Sequence, residues 1–567
     1  MTDNYEWMKA NEAQSVNDYS PYSDKQYNSY INDINNSVYS NNSLTLVNFD
    51  LGQLYNSNKH IDVGDTYIVL PITMVAAYTN GTALVAPSAQ SSALCSIKSN
   101  FLHLIHQCDL TLNGKTIEST SSFINVARHF QLISEMSASD ILTLGPTLGF
   151  APTGLDSVKT MKYNATAGAN TTSGNGFTNN RFIGTPDNQC ALSATQNAGV
   201  GNSAIQYKIG RYVDMTANAS DNNISAIVST QNLSTEYRPY HVRNGMYCIW
   251  YDYAVIKLAH LFESVSKFGL LRRFDAQVRV WVNTGTCNVT VANPNADTLA
   301  YSLTPGNNTF SNSCPLSINY LPGNTGVPLT VTNIVAGLYI AKPPTTSFQG
   351  VNFANSGASH PLLNCRLYYS QIVVDPDLVG KYRDENREKT VVYRTLCSNI
   401  YPKIGPGANF NSLINAGVVN PTGVLVVPFL ASTSAFGDSQ WKSPFDSCPA
   451  TTCPVPLTNF QVNVGGQNMF ASTMFTNYEN FISQVNLAES LTSSDFGVAT
   501  GLLNQTSWEW SRYYFCNIAR SNKADKLLAR NINVSFVNTS LLDIDVMIFV
   551  FYSDQLTIDT ENGIVLK

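Results

Sequence analysis

Apolar and polar positions fall into the same succession at two places in the chain. Between His103 and Met136, Leu104, Cys108, Leu110 and Leu112 alternate with Gln107, Asp109 and Thr111, the period of a half-buried strand. Asn113-Gly114 follows and predicts a tight hairpin. The period then lengthens. Phe123, Val126, Ala127, Phe130 and Ile133 share one helical face, with Ser121 or Ser122 as N-cap. Between Phe460 and Val485 the succession returns: Phe460, Val462 and Val464 alternate with Gln461 and Asn463, Gly465-Gly466 turns the chain, and Tyr478, Phe481, Ile482 and Val485 form a helical stripe. The offsets agree, with 16 positions from Gly114 to Phe130 and 15 from Gly466 to Phe481. A proline-bearing strand precedes each hairpin, TYIVLPITMVA with Pro71 and GVLVVPFLAS with Pro428. A shared order of strand, hairpin and amphipathic helix points to an internal duplication.

Further strand-like runs lie at 44–49, 246–258, 272–283, 334–340 and 366–374, and later at 391–397, 510–518, 532–537 and 544–552. A short helix is expected over 259–268. Strands are not separated by regular helices of 10 to 15 residues, so parallel crossovers are excluded. The expected class is all-β with a few short helices, as two tandem eight-stranded β-sandwiches. The tripeptide Val282-Asn283-Thr284 recurs as Val537-Asn538-Thr539. It carries little weight, because aligning it puts the apolar alternation of the two strands out of phase.

The duplication is uneven. From Pro71 to Asn283 is 212 positions, but from Pro428 to Asn538 only 110. The difference matches the Gly-, Asn-, Ser- and Thr-rich segment 145–240, read as an inserted loop region, and closure entropy grows slowly enough with length to allow it. A second excursion is expected over 286–360. Residues 1–42 hold Tyr5, Tyr19, Tyr22, Tyr27, Tyr30 and Tyr39 with few aliphatic residues, and are expected to be an arm, flexible or ordered on assembly. The first sandwich is then 43–388, ending in a charged linker at 375–388, and the second is 389–567.

Composition narrows the function. The 567 residues are 44% hydrophobic but only 13% charged, against roughly 25% in ordinary domains. A surface built from Asn, Ser, Thr and Tyr suits packing against copies of the same chain. A net charge of −6 argues against sequence-specific nucleic-acid binding, which needs clustered Lys and Arg. The 11 cysteines are scattered, so free thiols are expected, with Cys448 and Cys453 the one pair near enough in sequence for a local disulfide. No signal-peptide core or membrane span is seen, which suggests synthesis in the cytosol.

Catalytic signatures are missing. Gly114-Lys115-Thr116 resembles the end of a P-loop, but Asp109 stands where Gly is required and the segment is a hairpin. His103 and His106 would point to opposite faces of a strand. His106 shares the apolar face with Cys108, which favours a core histidine over a metal ligand. The other histidines are scattered, and no spacing singles out paired carboxylates. No catalytic, cofactor-binding or metal residue is assigned, and no cofactor is expected.

The runs HLIHQCDLTLNGKTIESTSSFINV and GANFNSLINAGVVNPTGVLVVPF, with the duplicated β plan, resemble the double jelly-roll major capsid proteins of Polinton-like viruses and virophages, relatives in fold of adenovirus hexon. The resemblance spans about residues 43–560. It implies two jelly rolls side by side, trimers of pseudo-hexagonal outline, an icosahedral virion shell, and penton and minor or cement proteins as further partners. Two other readings compete. One is a secreted carbohydrate-binding or carbohydrate-hydrolysing β-sandwich protein, suggested by 29 Tyr and 26 Phe. The other is a viral spike or minor capsid protein.

Overall fold

The computed structural model describes residues 23–56, 59–84, 92–98, 100–120, 122–137, 247–292, 302–310, 312–321, 333–374, 387–414, 417–432, 439–442, 455–472, 477–486, 512–519, 528–560 and 564–565, with a few isolated positions or short strand pairs elsewhere. Strand pairing divides them into two halves.

The first half runs β1 (Ser23–Asn32), β2 (Leu44–Asp50), β3 (His60–Thr79), β4 (Ser92–Ile97), β5 (Ile105–Leu112), β6 (Lys115–Ser119) and helix α1 (Ile124–Glu135). It continues with β7 (Tyr247–Lys257), the short helices α2 (Leu258–Leu261) and α3 (Glu263–Phe268), β8 (Ala276–Asn283), β9 (Gly285–Ala292), β10 (Ser302–Asn308), β11 (Leu316–Leu321), β12 (Asn333–Ile340) and β13 (Arg366–Val374). One sheet has the order β1-β13-β3-β7, the other β2-β8-β5-β6, and every pair is antiparallel. Alternation explains which faces meet: β8 buries Ala276, Val278, Val280 and Val282, and β5 buries Cys108, Leu110 and Leu112 between the sheets.

The second half repeats the plan. Its strands are β14 (Glu388–Ile404), β15 (Asn409–Ile414), β16 (Pro421–Leu430), β17 (Leu457–Val464), β18 (Gln467–Asn468), then helix α4 (Tyr478–Asn486), β19 (Tyr514–Asn517), β20 (Ile532–Asn538) and β21 (Ile544–Asp559). The sheets are β14-β21-β16-β19 and β15-β20-β17-β18. If the eight strands of each half are lettered B to I in chain order, both halves read B-I-D-G facing C-H-E-F. That order is the jelly roll, and the chain is all-β with a few short helices, two jelly rolls in tandem.

The outline departs from the sequence reading in two places. Residues 23–32, expected in the arm, are strand B of the first sandwich, paired along their length with β13. Polar, aromatic-rich composition hid this strand: among the described residues β1 pairs on one side only, and of its described side chains, 27–32, Ile31 alone is buried. The excursion expected over 286–360, with a strand-like run at 334–340, contains four strands, β9, β10, β11 and β12, the last matching that run. The cause is the length of β3: β13 pairs with it only from His60 to Val69, and β12 takes over from Ile72 to Thr79. Pro71 stands at the change of partner, where a residue without an N–H interrupts the ladder least. Most of the segment 145–240, most of the linker 375–388, residues 1–22, Cys448 and Cys453 lie outside the described residues. Among the described residues, Cys108, Cys287, Cys314, Cys365, Cys397 and Cys516 are free thiols.

Both hairpins are as read. Asn113 and Gly114 have φ of 47° and 76°, and Gly465 and Gly466 have 59° and 87°, the two successive positive values of a type I′ turn. A Cβ at Gly114 would meet nothing within 4 Å, so any penalty there is conformational. Gly114→Val should therefore lower stability by about 1–2 kcal/mol, while Gly114→Asn should be nearly neutral because Asn tolerates the left-handed region. Chemical denaturation of both variants checks this, and equal effects would show that the turn does not set the hairpin.

Candidate functional site at the joint between the two sandwiches

The helix after the first hairpin does not end its packing within its own sandwich. Its N-cap is Phe123, in left-handed conformation at φ 63° and without a side-chain capping bond, rather than the expected serine. The strain is offset by packing. The Phe123 ring lies edge-on to His106 at 4.7 Å and to Trp441 of the second half at 5.2 Å. Ser122 contributes its carbonyl, which accepts from the Ser398 hydroxyl of β14 at 2.7 Å. Two turns further, the fully buried Phe130 sits 4.0 Å from the Tyr513 ring, which in turn meets Phe481 of α4 at 5.0 Å. The two helices of the repeat thus meet through one tyrosine, and a single hydrophobic core runs through both halves.

Polar contacts fix the same joint. The Tyr393 hydroxyl of β14 donates to the Ile117 carbonyl of β6 at 2.8 Å, Lys267 of α3 donates to the Val392 carbonyl at 2.7 Å, and Lys115 donates to the Val565 carbonyl at 2.9 Å. Arg394 of β14 pairs with Glu263 of α3 at 2.8 Å, and Lys267 with the same carboxylate at 3.2 Å. Burial acts to raise the Glu263 carboxyl, but Arg394, Lys267 and Arg128 outweigh it and hold it below the usual range.

Glu118 behaves in the opposite way. It is 2% exposed; one oxygen accepts from the Ser264 hydroxyl at 2.8 Å and, at 3.3 Å, from the Ser264 N–H. The other carboxylate oxygen has no hydrogen bond. Burial pushes this carboxyl up to about 7, against the opposing pull of Arg128 and the Ser264 bonds. Strict alternation would turn Glu118 outward, but a register shift between Leu110 and Thr111 sets Glu118 opposite the core residue Leu110. The bulge carried no sequence signal.

The histidines and Cys108 are core residues here. His103 lies in a 3₁₀ turn, Phe101–Leu104, not in the strand as expected. Its Nε2 donates to the Cys314 carbonyl at 3.2 Å, leaving Nδ1 to accept from Asn125 at 3.0 Å. His106 is buried beside Phe123, and burial lowers its pKa to about 4. Burial raises the Cys108 thiol above its usual range. Among the described residues, no cluster of three or more His, Cys, Asp or Glu could hold a metal ion, and no helix is long and apolar enough to cross a membrane.

The first sandwich also carries an aromatic face on its outer sheet. Tyr67 stacks on Tyr368 at 5.1 Å, Tyr368 meets Tyr30 of β1 at 5.5 Å, and the Arg366 guanidinium lies 4.5 Å above Tyr30. On the same strand, Lys59 lies 4.7 Å over Tyr27. Among the described residues, β1 pairs on one side only.

No protein-family model matches the sequence, and no curated protein matches it. Among solved structures, the chain is similar to one in the cryo-EM structure of the Sputnik virophage, with 10% identity over 96% of this chain and 88% of that one, and a TM-score of 0.46. It is also similar to the mavirus major capsid protein, with 10% identity over 95% and 89% and a TM-score of 0.41. For the Faustovirus major capsid protein the values are 10% over 95% and 91%, and 0.37.

Two outcomes test the joint. Phe130→Ala should cost about 3–5 kcal/mol, the range for emptying a large buried aromatic site, in chemical denaturation; a loss below 1 kcal/mol would remove Phe130 as its anchor. Glu118 binds its proton more tightly folded than unfolded, so its contribution is complete below about 4.5 and is lost as pH rises through about 7. Glu118→Gln should therefore match the wild type in melting temperature near pH 4. At pH 8 it should exceed the wild type by on the order of 3 kcal/mol in stability, and coincident melting curves at pH 8 would contradict this.

Proposed function

We propose that the chain is a major capsid protein that assembles as trimers of pseudo-hexagonal outline and tiles the shell of an icosahedral virion. The observation that carries this reading is the pair of complete jelly rolls of identical strand order, held at a fixed relation by one shared core. A chain made of two such blocks becomes six similar blocks when three copies gather around an axis, and closed symmetry reuses one interface three times. The sparse charge of the surface supports self-association, since few ions must be desolvated where copies meet. The partners are then other copies of the chain, first within a capsomer and next between capsomers, with penton and minor or cement proteins at special positions. The role is structural and needs no catalytic residue or cofactor.

Light scattering on the purified chain should give three times the 62.0 kDa chain mass, and negative stain should show hexagonal outlines. A monomer at every concentration would overturn the reading.

A further inference from the structure

The run GANFNSLINAG, residues 407–417, contains no charged residue and no proline. Its centre is β15, strand C of the second sandwich, and in both halves strand C is a sheet edge among the described residues. Edges are ordinarily blunted by Lys, Pro or a covering loop, because their free N–H and C=O groups pair with other strands.

In the first half the edge is sealed. The Thr284 N–H donates to the Ser43 carbonyl at 3.1 Å, which sets the phase of β2 so that Leu46 and Asn48 turn their backbone groups away from β8. The connection from strand B to strand C, 33–43, folds back over them. The Leu46 carbonyl accepts from the Asn35 side chain at 2.6 Å and the Asn48 carbonyl from the Ile34 N–H at 2.9 Å.

In the second half the same connection is only 405–408, too short to fold over the edge. Here the Asn538 N–H donates to the Ala408 carbonyl at 3.1 Å. Phe410, Ser412 and Ile414 therefore bond to β20, while Asn409, Asn411 and Leu413 aim their N–H and C=O groups at the open side. Among the described residues nothing bonds to them there. Their side chains are exposed, Leu413 by 54%. Phe410, stacked on Phe536 at 4.6 Å and edge-on to Tyr401 at 4.9 Å, holds the strand in place.

We propose that β15 pairs with β15 of a second copy across a two-fold axis, and that this antiparallel pair joins one capsomer to the next. The name of what is joined rests on the capsid reading. A two-fold contact cannot close a ring of three chains, so it is separate from the contact that builds the trimer. The ladder dictates the register. Only odd-numbered residues have free groups, so the pairing that uses all of them sets Asn411 opposite Asn411 of the second copy and Asn409 opposite Leu413, each facing pair exchanging two bonds. The strand suits a copy of itself: amides both donate and accept, and no like charges are brought together.

Cysteine substitutions in the full chain test the register. Facing residues in such a pair lie about 5.5 Å apart at Cα, within disulfide reach, so Asn411→Cys should oxidise to linked pairs of chains on a non-reducing gel. Asn409→Cys alone should not, whereas Asn409→Cys mixed with Leu413→Cys should. Asn411→Pro removes one outward N–H per copy and leaves the β20 ladder intact. It should raise the concentration needed for association beyond the trimer, read by light scattering, by about tenfold or more. Asn411→Lys sets two lysines face to face; it should act the same way and serves if the proline variant does not fold. Absence of the 411 link, a wild type that never associates beyond the trimer, or unchanged association in folded variants would overturn the proposal and leave the trimer standing. Capture of a different protein on this edge without the link would do the same. A 411 link in a chain that never forms trimers would uphold the pairing and overturn the capsid reading.

Discussion

The architecture depends on the packing of α1 across the joint. Phe130 against Tyr513 and Phe123 against Trp441 tie the halves into a continuous core, so the chain behaves as one block rather than as two domains on a tether. Ordinary interdomain contacts within a chain are more polar and permit relative motion. Here the aromatic contacts lie at the centre and are surrounded by hydrogen bonds to backbone carbonyls of both halves, which fix orientation as well as proximity. An assembly unit needs this, because an angular error within the unit is repeated at every contact it makes.

The joint also contains opposing electrostatic demands. Glu263 is stabilised as an anion by Arg394 and Lys267, so its contribution is lost as pH falls through its depressed pKa. Glu118, a few residues away in space through Ser264, is destabilised as an anion by burial, so its contribution is lost as pH rises. The two carboxyls thus limit the joint from opposite sides of the pH scale.

Much of the fold was legible because period and turn chemistry are local. Arg366–Val374 was read to the residue, and the two hairpins were found from Asn113-Gly114 and Gly465-Gly466 alone. Elements whose form depends on distant partners were missed. β1 has little apolar pattern and, among the described residues, pairs on one side only, and β9 follows from β12, the expected run at 334–340, which completes a β3 that outruns β13. The repeated Val-Asn-Thr was discounted, yet β8 and β20 both end on its buried asparagine, Asn283 and Asn538. The phase difference is nonetheless present, since Val282 is in the core and Val537 is only half-buried. The joint had no signature of its own: the Phe123 to Ile133 stripe announces burial, but nothing in it says that the covering surface lies in the other half.

The pairing of β1 with β13 has a consequence for synthesis. Asn28 and Ser370, bonded across this ladder, are 342 residues apart. A ribosome adding about 5–20 residues per second needs roughly 20 to 70 seconds to cover that distance. For most of that interval the apolar face of β3 has been made but strand I has not, and sheet edges in this state are open to pairing with neighbouring nascent chains. The second sandwich closes over a far shorter stretch. Folding of this chain is therefore paced by its first half, and chaperone demand should fall on the polysome rather than on the finished protein.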